Sequence, residues 1–317
     1  MRFLFILFFI FVSFDCLALD SNKQFFTEDQ IKQKADSILT LMSFTVLPDI
    51  TTSNLTFGQE LSSSGKPELF QSTLGGGFTV SREVPVYLEG TLGYSRYDPK
   101  FIYSDGTDAR NLPGKWNSVS ATGGIGYDFP ITENQEWKLR PIFNFSLGRV
   151  ITDSKIAQEF LNNKFPDLDL DIIDGGKMNA YGLGGSIMLD WEHYLTNYEI
   201  DLELRYSNIQ LRTFGDTTSG LKGESETNSA GLWARYRAPT GITFLDAPLR
   251  YVLETSFTSY YGDQRDALGF SRLGSVGAGI EIDSSEKIDL FSRTRILIRY
   301  VFGENVSGTS LGLAISF

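Results

Sequence analysis

The chain has 317 residues, with 39 acidic against 28 basic side chains, and the formal net charge of −11 argues against nucleic acid as a partner. A mean hydropathy of −0.12 excludes a polytopic helical membrane protein, but not a barrel, which shows lipid only every second residue. Aromatic residues make up 14% of the sequence, a supply that strands ending at a membrane boundary would use.

Met1-Arg2, the apolar run 3–14 and the small residue Ala18 read as a secretory signal peptide over residues 1–18, too short for a spanning helix. A lipoprotein signal acylated at Cys16 needs small residues before the cysteine, and Phe14-Asp15 does not supply them. Cleavage after Ala18 removes the only cysteine, so the mature chain is expected to have neither a disulfide nor a thiolate metal site. Residues 19–50 carry the one helical rhythm. Thr27-Glu28-Asp29 resembles a helix cap with acidic residues in the first turn. Ile31, Ala35, Ile38, Leu39 and Met42 follow at spacings of three and four, and Pro48 ends the segment.

From Thr51 the period changes to two. Strands are predicted near 51–59, 69–81, 85–98, 117–131, 137–152, 175–194, 198–214, 224–238, 249–262, 270–283, 290–303 and 307–317. Long connections (99–116, 153–174, 215–223, 262–269) alternate with short ones (82–84, 195–197), as outer loops and periplasmic turns do in membrane barrels. The connection 239–248 is too long for that scheme. An even number of strands brings both chain ends to the periplasmic side.

The alternation is clearest where Tyr198, Ile200, Leu202, Leu204 and Tyr206 oppose Glu199, Asp201, Glu203 and Arg205, and where Ile296, Ile298, Tyr300 and Phe302 oppose Arg295 and Arg299. An arginine on the lipid face at mid-bilayer would cost roughly 2–4 kcal/mol, so the charged face is expected to line the lumen. On this reading Glu89, Arg140, Glu199, Asp201, Glu203, Arg205, Arg235, Glu254, Glu281, Arg295 and Arg299 line it. Charges of both signs suggest cross-barrel ion pairs and not a selectivity ring of one sign. Aromatics near strand ends, among them Tyr94, Tyr97, Trp137, Trp191, Tyr194, Tyr260 and Tyr261, suggest two girdles.

The last strand carries Leu311, Leu313, Ile315 and Phe317 on one face and ends on an aromatic. With the signal peptide, the helix 28–42 and about twelve strands, the chain resembles the autotransporter translocator barrel, and within it the solitary barrels that carry no passenger. The resemblance implies an all-β, twelve-stranded antiparallel barrel (51–317) in the Gram-negative outer membrane, with segment 19–50 as a possible lumen plug. It also implies lipid and lipopolysaccharide as surroundings, and recognition of Leu311, Leu313, Ile315 and Phe317 by the barrel-assembly machinery. About thirty residues before the first strand are too few for a secreted passenger, and Asn162-Asn163 lies in an outer loop, away from the position where some autotransporters cleave themselves.

Other chemistry finds less support. His193, the only histidine, falls at the periplasmic end of its strand, the wrong end for attack on outer-leaflet lipid or external peptide. The acidic loop 165–174 lacks the ligand spacing of an EF-hand. No glycine-rich stretch leads into a helix, so no nucleotide cofactor is expected. The reading is a translocator-like barrel with a structural or pore-like role; the alternatives are a small diffusion channel and a barrel lipase or protease.

Overall fold

The computed structural model describes residues 51–57, 68–98, 101–104, 109–112, 115–152, 177–217, 222–244, 247–263, 265, 270–283 and 293–316. The signal peptide, the helix expected over 28–42, Asn162-Asn163, the loop 165–174 and Phe317 lie outside these residues.

Among the described residues fifteen strands are formed: β1 (Thr51–Phe57), β2 (Glu68–Thr79), β3 (Val86–Asp98), β4 (Phe101–Ser104), β5 (Ala109–Leu112), β6 (Trp116–Tyr127), β7 (Phe129–Pro130), β8 (Trp137–Thr152), β9 (Lys177–Tyr194), β10 (Glu199–Phe214), β11 (Glu224–Phe244), β12 (Ala247–Gly262), β13 (Arg272–Asp283), β14 (Arg293–Gly303) and β15 (Val306–Ser316). Every pairing is antiparallel, and the order runs β6-β3-β2-β1-β15-β14-β13-β12-β11-β10-β9-β8. β8 then pairs with β6, Gly126 opposite Ile142 through to Trp116 opposite Thr152, which closes a ring of twelve strands. Closure gives each of the twelve two hydrogen-bonded neighbours, the arrangement that lets strands enter hydrocarbon without unpaired backbone. β7 extends one edge of β8, and β4 with β5 forms a hairpin in the connection after β3.

The two faces of the ring are inverted relative to a soluble protein. On β14, Ile296, Ile298, Tyr300 and Phe302 are exposed, while Arg295, Leu297, Arg299 and Val301 are buried. On β8, Phe143, Phe145 and Leu147 point outward and Arg140, Asn144 and Val150 inward. Ile298 is 66% exposed and Glu281 0%. A broad apolar band on the exterior around a charged interior is unstable in water and suited to lipid. The ring is a transmembrane β-barrel.

Its proximal end carries Thr51 and Ser316, and two of the connections described there are tight. Ser81 N–H donates to the Val84 carbonyl at 3.2 Å, and Leu195 N–H to the Tyr198 carbonyl at 2.8 Å. The long connection expected over 239–248 is instead strand. β11 and β12 run on to Phe244 and Ala247, and a register shift between Pro239 and Thr243 absorbs the proline that cannot donate to the ladder.

A near-proximal band of rings wraps part of the exterior. Trp137 and Trp191 stack at 5.5 Å, Trp191 and His193 at 5.6 Å, and the series continues through Tyr198, Tyr236 and Tyr251 at 5.9 Å per step. Tyr97 and Tyr260, expected in a girdle, are buried inside the barrel at 2% and 5% exposure. Each shares the strand parity of inward residues (Ser95 on β3, Glu254 on β12), and parity decides orientation even at a strand end.

Candidate functional site: the barrel interior

The inward face is layered along the axis. At the distal end it is apolar. Leu69, Tyr97, Tyr260, Phe270, Val301 and Val306 form one packed cluster and Val150, Met178, Ala180, Ile209 and Leu211 a second, with Trp116 packed against both. Strand pairing places Leu69 opposite Tyr97, Tyr97 opposite Trp116, and Val150 opposite Met178, so these residues form a collar just inside the mouth. Below it lie hydroxyl pairs: Ser95 with Ser118 at 3.1 Å and Ser256 with Ser275 at 2.7 Å.

The middle and proximal layers are a mesh of charges. Arg205 on β10 donates to both oxygens of Glu89 on β3, at 2.8 and 2.7 Å. Asn144 adds a third bond to Glu89 at 2.7 Å, and Ser186 links Asn144 to Ser207. Four steps around the ring separate β3 from β10, so this pair reaches across the lumen. A second long tie joins Arg293 on β14 to Glu199 on β10, at 2.7 and 3.1 Å. Glu199 also accepts from Arg250 at 2.7 Å and faces Arg237 at 3.1 Å.

Asp201 accepts from Arg235, Arg237 and Tyr194. Glu281 accepts from Arg295 at 2.8 Å, and Glu254 from Arg299 at 2.5 Å. On the opposite wall Arg140 is clamped between Asp128 and Asp190, with its guanidinium 3.9 Å from the Tyr87 ring centre. Tyr87 in turn fills the space over Gly77, where any Cβ would collide with the ring. Arg235 lies 4.5 Å from the ring centre of Trp233.

All eleven charges expected to line the lumen therefore have inward parity and lie on this face, and ten of them make the ion pairs just described. Glu203 makes no hydrogen bond among the described residues; it stands opposite Asp190 on β9 and Trp233 on β11. The lining at the mesh is paired and largely buried: side-chain exposure is 5% at Glu89, 11% at Arg205 and 4% at Arg237. Apart from Glu203, each carboxylate of the mesh meets a guanidinium, which offsets the cost of burying it. Sequence reading missed Asp128, Arg237, Arg250, Asp283 and Arg293. Arg237, Arg250 and Arg293 share the parity of Arg235, Glu254 and Arg295, which was the available signal; Asp128 follows the end of β6 and has no such cue.

His193 has outward parity and sits in the aromatic band, its Nδ1 2.9 Å from Glu136 Oε1. Trp191 Nε1–H donates to the same carboxylate at 3.3 Å. The His193 bond is the main reason the Glu136 carboxyl is held below the usual glutamate range. At the last strand, Leu311 and Leu313 are exposed and Gly312 is buried. β15 runs through Ile315 and pairs with both β1 and β14.

No protein-family model matches the chain, and no curated protein does. Among solved structures it is similar to the beta domain of the Bordetella autotransporter BrkA (13% identity over 84% of this chain and 97% of that one, TM-score 0.46). It is also similar to the transport unit of the autotransporter AIDA-I from Escherichia coli (13% identity, 90% of this chain and 99% of that one, TM-score 0.45). A third is the translocator domain of the autotransporter NalP from Neisseria meningitidis (12% identity, 91% of this chain and 95% of that one, TM-score 0.42).

Proposed function

We propose that this chain is a Gram-negative outer-membrane barrel of the passenger-less translocator type, with a pore-like role and a lumen kept shut by its own side chains. The observation that carries this reading is the pair of long ties, Arg205–Glu89 and Arg293–Glu199, beneath the apolar collar. A water-filled diffusion channel needs a continuous polar path. Here the mesh is dry and the distal mouth is apolar, a lining that resists wetting. The outer surface meets membrane lipid and lipopolysaccharide, and the terminal strand with Leu311, Leu313, Ile315 and Phe317 is the part the assembly machinery reads. Segment 19–50 adds a plug to the closed lumen.

Planar-bilayer recording of the refolded protein tests the reading. The intact chain is expected to stay closed most of the time, and deletion of residues 19–46 to raise conductance modestly, because the mesh remains. A steadily open intact chain would favour the diffusion channel.

A further inference from the structure

Charged residues on the outward face occupy one end of the barrel only. In the strands whose side chains are described, every one of them lies near the distal mouth: Glu68, Arg96, Asp98, Arg149, Lys177, Arg212, Glu224, Glu226 and Arg272. Four of the five cations among them gather on one arc, Arg272 on β13 standing apart, although the chain as a whole is acidic. Arg96 on β3, Arg149 on β8, Lys177 on β9 and Arg212 on β10 are spread over five neighbouring strands, while Glu224 and Glu226 follow on β11.

Arg149 is the unusual member. Its same-face neighbours along β8 are Leu147 and Ile151, 55% and 41% exposed, and opposite it on β6 stands Val119 at 59%. Among the described residues no carboxylate forms an ion pair with it, and the one carboxylate that feels its charge, Asp216, is bonded to Lys177. A guanidinium set in an apolar exterior just below the mouth carries a desolvation cost in lipid unless an anion at the surface meets it. The surroundings hold this position firmly. Asn179, opposite Arg149 on β9, receives the turn after β10: Asn179 N–H donates to Thr217 Oγ1 at 3.1 Å, and Thr217 Oγ1 donates to the Phe214 carbonyl at 2.8 Å. The same turn delivers Asp216 to Lys177, so Lys177 is fixed beside Arg149 with its charge partly engaged. Immediately below, Tyr181 meets Phe214 edge-on at 5.9 Å, and Leu147 and Leu183 continue the apolar wall.

We propose that Arg149, supported by Lys177, is the docking point for a phosphate of an outer-leaflet glycolipid, whose acyl chains lie along Leu147, Tyr181 and Leu183. The apolar setting selects a lipid-borne phosphate over a free anion, since only the lipid fills both halves of the site. The proposal requires the distal mouth to face the outer leaflet.

Native mass spectrometry of the full chain in detergent, with bis-phosphorylated lipid A as probe, tests it. The wild type is expected to retain the phosphorylated lipid and release its dephosphorylated form. Arg149→Gln should cut retention about tenfold, the loss of one charge-assisted hydrogen bond, and Arg149→Lys should restore most of it. The heat-dependent gel mobility of a folded barrel verifies that each variant is intact. Equal retention of the dephosphorylated lipid, an unaffected Arg149→Gln variant, or displacement of the lipid by millimolar inorganic phosphate would each overturn the assignment. None of these outcomes depends on whether the lumen conducts.

Discussion

Arg205 and Glu89 are 116 residues apart in sequence and form a two-bond fork across the barrel, at 2.8 and 2.7 Å. A guanidinium matches a carboxylate in both distance and plane, so the pair fixes the relative position of β3 and β10 as well as neutralising two buried charges. Neighbouring strands are already held by backbone ladders. What the ladders cannot set is the cross-section of the ring, and ties of this length do.

Removing one partner should therefore cost more than removing both. Arg205→Met strands Glu89 in a dry interior and is expected to lower stability by roughly 3–5 kcal/mol in urea unfolding from detergent. Adding Glu89→Gln to that variant should recover most of the loss. A double variant no more stable than the single one would mean that the tie shapes the lumen without holding a buried charge.

The collar predicts a separate effect at the mouth. Trp116 packs against both apolar clusters, so Trp116→Ser should loosen their junction, cost about 3 kcal/mol and raise the frequency of channel openings in planar bilayers. Unchanged opening frequency in a folded Trp116→Ser barrel would place the barrier in the charged mesh alone.

The aromatic band predicts a pH response. Glu136 has a folded-state pKa below its ordinary value of 4.5, with the His193 hydrogen bond as the largest cause. A depressed carboxyl contributes stability above its unfolded pKa and loses it as pH falls through the folded value. The stacked Trp137 and Trp191 should report this as a fluorescence change below about pH 4.5. Glu136→Gln should abolish that change, and a Glu136→Gln profile identical to wild type would exclude the Glu136–His193 pair as its source.

Orientation is open to direct labelling. Cleavage at Ala18 would leave a cysteine-free chain, so single cysteines introduced at Asp263 (distal turn) and Thr196 (proximal turn) can be compared in whole cells with a membrane-impermeant maleimide. Asp263→Cys is expected to react and Thr196→Cys to remain unlabelled; the reverse pattern would invert the topology.

What the sequence revealed was what is local. A period of two is written in consecutive residues, so the outward row Ile296, Ile298, Tyr300 and Phe302 and the inward Arg295 and Arg299 were legible from side-chain type alone. Near strand ends two cues compete, and Tyr97 and Tyr260 looked like boundary aromatics although parity turns them inward. Pro239 looked like a strand breaker because the register shift that accommodates it depends on β12. The partners of the charges could not be read at all: that Glu89 meets Arg205 and Glu199 meets Arg293 follows from ring closure and register, which no short window contains.

The central claim is that the interior of this barrel is closed by side chains of its own strands. Conductance of the Arg205→Met, Glu89→Gln, Trp116→Ser triple variant against the intact chain, in planar bilayers of the same composition, tests it most directly. The account predicts a mostly silent wild type and a variant with frequent, larger openings. An intact chain that already conducts steadily, with no increase in the variant, would contradict it.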